Sequence, residues 1–191
     1  MSIAIEDMSE YAQHVVKTLD LEAHPEGGWY RQTWLSRKAV EAGQDAAGDE
    51  TSESTDAASG KRPLASLIYF LLPEGDASAW HKVDADEIWL WHGPATVGLE
   101  LGGYGDAPEA DKSKRTLITL GQGIAGIDPA QTGLDSQQAG QPSDASIELA
   151  EPVAQYAIPE GCWQRTIPGH GDALVSCVVS PGFTFDGFTL E

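Results

Sequence analysis

The sequence predicts an all-β fold, a sandwich or jelly roll, preceded by one short helix. Three observations carry this. At least eight short segments read as strands, Gly and Pro turns separate them, and helical spacing appears once, near the start. The length of 191 residues suits a single domain, and 41% apolar content is enough to build a core.

Residues 6–19 place Met8, Tyr11, Ala12, Val15, Val16 and Leu19 at helical spacing. His24-Pro25-Glu26-Gly27-Gly28 is a turn cluster that ends any helix. Trp29 to Trp34 follows as an aromatic and β-branched strand. Residues 36–61 then turn to Ala, Gly, Ser, Asp and Glu, and 122–148 change in the same way. Neither stretch carries enough large apolar side chains to offset the entropy of ordering, so both are expected to be flexible insertions in a single domain spanning 1–191.

Ala65 to Leu72 is an apolar run that can be buried on both faces. Beyond the turn Pro73-Glu74-Gly75-Asp76 come three short strands, Ala77–Val83, Glu87–His92 and Thr96–Leu101. Arg115–Leu120, Gln155–Ile158, Trp163–Ile167, Leu174–Ser180 and Phe183–Leu190 complete the series.

Thirty acidic side chains against 11 basic ones give a formal charge of −19. That charge repels phosphate and anionic lipid, so neither nucleic acid nor a membrane surface is an expected partner. No apolar run approaches the roughly 18 residues of a spanning helix. The first residues, with Glu6, Asp7 and Glu10, lack the basic-then-apolar pattern of an export signal, and a cytoplasmic protein is expected. Cys162 and Cys177 are too few for a disulfide framework and read as core thiols.

Alternate residues of a strand share a face. Thus His81 pairs with Val83 on one face, and Glu87 with Trp89 and Trp91 on another. If these strands are neighbours in a barrel, His81 and Glu87 converge on its interior. A carboxyl facing inward beside tryptophans is costly unless it is paired, hydrogen-bonded or bound to metal. Arg31 and Arg165 are scarce cations in strand text, suited either to a ligand carboxylate or phosphate or to a nearby Glu.

These residues resemble a family. Gly75, five residues, His81, one residue, Val83, three residues and Glu87 is similar to the first signature of the cupin superfamily. Pro159-x-Gly161-x-x-Gln164 resembles the second. HPEGGWYRQT (24–33), SAWHKVDADEIW (78–89) and Pro181-Gly182-Phe183 narrow the resemblance to one uncharacterised single-domain branch. The resemblance implies a double-stranded β-helix, the cupin jelly roll, and a homodimer. In metal-binding cupins the signatures supply three histidines and a glutamate, whereas here Val83 and Gln164 occupy two of the histidine positions.

Three readings of the site follow. In one, His81, Glu87 and Gln164 hold a divalent metal ion. In another, the cavity takes a small, polar or sugar-like organic ligand without metal. There Glu87 would accept a hydrogen bond from His81, the pair would serve as a general base for epimerase- or isomerase-like chemistry, and Gln164, Trp89, Trp91, Arg31 and Arg165 would bind the ligand. In the third, the polar groups only satisfy one another. The function classes are accordingly an enzyme, a non-catalytic small-molecule binding module, or an interaction protein that uses its acidic loops.

Overall fold

The computed structural model describes residues 2–41, 61–123 and 152–191. One helix, α1 (Glu10–Leu19), precedes thirteen strands. These are β1 (Glu22–Ala23), β2 (Trp29–Leu35), β3 (Ala39–Glu41), β4 (Lys61–Pro63), β5 (Ser66–Leu72), β6 (His81–Val83) and β7 (Asp86–Pro94), then β8 (Val97–Leu101), β9 (Thr116–Leu120), β10 (Gln155–Ile158), β11 (Gln164–Ile167), β12 (Ala173–Ser180) and β13 (Phe188–Leu190). They form a six-stranded sheet in the order β1-β2-β5-β12-β7-β10 and a five-stranded sheet in the order β13-β6-β11-β8-β9. The named strands pair antiparallel throughout. Two such sheets closing on one apolar interior make the expected double-stranded β-helix jelly roll.

Helix α1 starts where Ser9 caps it, its hydroxyl accepting from the Ala12 N–H at 3.0 Å. It stops where Asp20 takes the left-handed conformation, φ 52°. Ala12, Val15 and Val16 are buried with Met8 and Leu21 against Leu71, beside Trp29, Tyr69 and Leu174. The helix therefore lies on the outer face of the six-stranded sheet and leaves the interior to the strands. Among the described residues no helix is long and apolar enough to cross a membrane.

Three expectations change at the element level. Residues 77–80 join no ladder, because side chains take over the bonding: the Ser78 N–H donates to Thr166 Oγ1 at 2.6 Å and the Thr166 N–H to Ser78 Oγ at 2.9 Å. The strand expected over 183–190 is reduced to β13, since a single 3₁₀ turn at Phe185–Gly187 interrupts it. The edges of the first expected insertion pair as strands, with Glu41 opposite Lys61. The remainder of both insertions, 42–60 and 124–148, lies outside the described residues.

The inward faces of the central strands run from a cavity into a packed core. On β12, Val179 and Cys177 border the cavity, whereas Val175 and Ala173 are core. On β5, Ser66, Ile68 and Phe70 border it and Leu72 is core. On β7, Glu87 and Trp89 face the cavity. One step of the two-residue repeat, about 7 Å along a strand, thus separates a site position from a packing position.

Candidate functional site

The cavity encloses about 400 Å³ between the sheets. The loop that closes it is His24-Pro25-Glu26-Gly27-Gly28. Gly27 and Gly28 have φ of 113° and 70°, and a Cβ on Gly28 would stand 2.6 Å from the Phe70 ring. Only glycine lets this turn press so close to β5. The Gly27 N–H donates to the His24 carbonyl at 3.1 Å and the Ala79 N–H to the Glu26 carbonyl at 2.7 Å, which ties the turn to the segment leading into β6. His24 and Glu26 are thereby carried inward beside His81.

His81 is buried, 2% exposed. Its Nδ1 lies 2.9 Å from the Ala79 carbonyl and 3.3 Å from Glu26 Oε2. A carbonyl can only accept, so Nδ1 carries the proton and Nε2 keeps a lone pair. Nε2 has no partner among the described residues, yet no buried side-chain nitrogen or oxygen there lacks one, so it opens onto the cavity His81 lines. Glu26 Oε2 also lies 3.5 Å from His24 Nδ1, which accepts the Glu26 N–H at 3.4 Å. One carboxyl is thus bracketed by two imidazoles.

A second polar chain lies deeper. Gln164 Nε2 donates to Glu87 Oε2 at 2.6 Å, and Trp89 Nε1 donates to Gln164 Oε1 at 3.1 Å. The Cys177 thiol also bonds the Glu87 carboxyl. Gln164 is fully buried, and both ends of its amide are engaged.

Desolvation governs the charge states. Burial lowers both His24 and His81 to about 4, with His81's charge adding to the effect on His24 and the Ala79 hydrogen bond opposing it at His81. Burial lifts Glu26 well above the usual carboxyl range, and the Glu87 charge lifts it further. Glu87 is raised by burial and held back by its bonds to Gln164, Cys177 and Trp89. Near neutral pH the imidazoles are therefore neutral, and the His24–Glu26–His81 contacts are close polar contacts of a buried carboxyl with two uncharged rings.

The sequence-predicted residues divide. His81, Glu87 and Trp89 meet at the cavity, and Arg31 stands at its rim, 3.1 Å from Asp20. The carboxyl beside His81 is that of Glu26, whereas Glu87 accepts from Gln164; the expected His81–Glu87 hydrogen bond is replaced by these two. Gln164 stands behind Glu87 and does not line the cavity. Trp91 has the right parity but sits one repeat further into the core, donating to the Ala95 carbonyl at 2.7 Å. Arg165 lines a separate cleft, pairs with Glu100 at 2.6 Å and lies over the Trp80 ring. The sequence places His24 and Glu26 only in a turn cluster and singles out neither them, nor Cys177 as a site residue, nor the phenylalanines of 183–188. The signal for them was present, since HPEGG and Pro181-Gly182-Phe183 are among the motifs that carry the resemblance.

The expected metal set does not fit. The Gln164 oxygen is occupied by the Trp89 indole, and its amide faces Glu87 instead of the cavity. Among the described residues no three His, Cys, Asp or Glu side chains are grouped so as to hold an ion.

Comparison with known proteins agrees with the architecture. A crystal structure of a Shewanella oneidensis protein shares 30% identity, covering 94% of this chain and 84% of that one, with a TM-score of 0.62. A hypothetical protein from Leishmania major matches at 23% identity, covering 94% and 86% of the two chains, also with a TM-score of 0.62, and supports the fold alone. None of the curated proteins matches the sequence. The model of the family described as "Cupin superfamily (DUF985)" matches residues 13–191, and the chain, with its two-sheet barrel and inward histidine, belongs to that family.

Proposed function

We propose that the protein binds a small organic molecule in the barrel cavity and moves a proton on it, with His81 as the general base. The observation that carries this reading is the His81 Nε2 lone pair, turned to the cavity while Nδ1–H is held by the Ala79 carbonyl and Glu26. A base of this kind must be unprotonated and within reach of the proton it takes, and burial keeps this imidazole neutral. Glu26 steadies the ring and stabilises the imidazolium that forms when Nε2 accepts a proton. Aromatic and aliphatic walls supply the remaining contacts and exclude water from the transfer.

The experiment is a metabolite mixture in deuterated water, read by ligand-observed NMR. The expected result is a bound compound that exchanges one carbon-bound hydrogen for deuterium. His81→Gln should retain the binding and lose the exchange. Absence of any bound compound, or exchange that survives His81→Gln, overturns the reading.

A further inference from the structure

All four phenylalanines of the chain, Phe70, Phe183, Phe185 and Phe188, border this one cavity. The last three pack edge to face, with centroids 5.1–6.2 Å apart, and form an aromatic wall beside His24. Phe185 stands 57% exposed where the wall reaches solvent. Glu22 is an exposed residue of the lining, and Glu26 and Glu87 are buried in it. The one Lys or Arg among the lining residues is Arg31, already held by Asp20.

We propose that the molecule taken by this cavity is a small organic cation, an ammonium bearing alkyl groups, with its charge against the phenylalanine faces and the Glu26 and Glu87 carboxyls. The inference rests on the reading of the cavity as a small-molecule site and adds the charge of the ligand. Ring faces carry the negative end of the aromatic quadrupole and attract a cation most strongly when water is excluded. An anion would face three carboxyl groups, with a single arginine that is already paired. A neutral ligand would leave two buried carboxyls without a charge partner, and burial has indeed lifted both above their ordinary range.

Calorimetric titration of the full chain near neutral pH, with choline, its uncharged carbon isostere dimethylbutanol and the anion dimethylbutanoate, tests this. Choline should bind at least about tenfold more tightly than the isostere, and the anion more weakly still. Phe185→Leu keeps an apolar side chain at an exposed position but removes the ring, so it should weaken choline several-fold and leave the isostere unchanged. Glu87→Gln should shrink the preference for choline over the isostere. Isostere or anion binding as tight as choline, or no choline binding, overturns the inference. Isostere binding without preference for charge would leave the cavity a small-molecule site, and the role of His81 would still be decided by the deuterium exchange above.

Discussion

Gln164→Leu tests the organisation of the deep polar chain most directly. Leucine nearly preserves the volume of the glutamine, so the substitution opens no large cavity and removes mainly two hydrogen bonds, those to Glu87 at 2.6 Å and from Trp89 at 3.1 Å. Each buried partner left unpaired costs about 1–3 kcal/mol. The indole can turn toward Glu87, with which it already interacts, and a leucine gains from burial, so the net loss should be about 3 kcal/mol. For a chain of this size that corresponds to a Tm lower by roughly 10 °C. Urea unfolding followed by far-ultraviolet circular dichroism, with calorimetry for Tm, measures both. A double-mutant cycle with Glu87→Leu isolates the pair, and the coupling should be about 1–3 kcal/mol because the double variant leaves neither the amide nor the carboxyl stranded. A single variant within about 1 kcal/mol of the wild type, or strict additivity in the cycle, would refute the idea that the amide exists to hold the carboxyl.

Other perturbations follow from the same geometry. His81 is lowered to about 4 in the folded chain against 6.5 when unfolded, so the unfolded state binds the extra proton between those values and His81's contribution to stability falls as pH drops from about 6.5 toward about 4. His81→Gln should therefore gain on the wild type by about 2 kcal/mol between about pH 6.5 and about pH 5, read by urea unfolding; a pH-independent difference contradicts the neutral buried imidazole. Gly28→Ala drives a methyl group into the Phe70 ring at a φ of 70° and should cost about 2–4 kcal/mol, and a variant as stable as the wild type would show that the turn is not constrained there. Zinc or manganese should give no saturable rise in Tm, and a rise that Glu87→Gln abolishes would restore the metal site. Arg165→Met should leave ligand binding in the barrel cavity unchanged, because Arg165 borders a different cleft beside Trp80; lost binding would place it back in the site.

The strands were legible because each carries its own turn signals and apolar pattern: β7 and β12 fall within two residues of their expected bounds. Parity also turned Glu87, Trp89 and Trp91 inward together, as the structure has them. Parity, however, gives direction and not depth. Trp91 faces the interior at the packed level, and only the register of β7 on β12, with Cys177 opposite Trp89, shows which level is open. His24 and Glu26 were harder to see, since a turn has no periodicity. What aims them is a pair of left-handed glycines and the fit of Gly28 against Phe70, a contact between residues more than forty positions apart. The partner of His81 differs from expectation for a related reason: parity along β6 and β7 aims Glu87 at the same interior as His81, while the Glu26 carbonyl bonded to the Ala79 N–H places the Glu26 carboxyl against the ring.

The inverted order of the cluster's proton affinities is what joins its structure to the proposed chemistry. In water a carboxyl gives up its proton before an imidazolium does. Here burial works on opposite charge types, pushing Glu26 and Glu87 up and His24 and His81 down, so that the ordinary order of carboxyl and imidazole is reversed. A buried carboxyl of raised proton affinity, 3.3 Å from the imidazole whose far nitrogen opens onto the cavity, sets an acid and a base in one site, and a proton exchange on a ligand needs both. A core built only for stability gains nothing from this arrangement, since apolar side chains of similar volume would fill the same space without the desolvation cost. A cationic ligand resolves the tension from the other direction. Its charge favours ionised Glu26 and Glu87, and a carboxylate beside His81 raises the basicity of Nε2, so the base becomes strong only when the cavity is occupied.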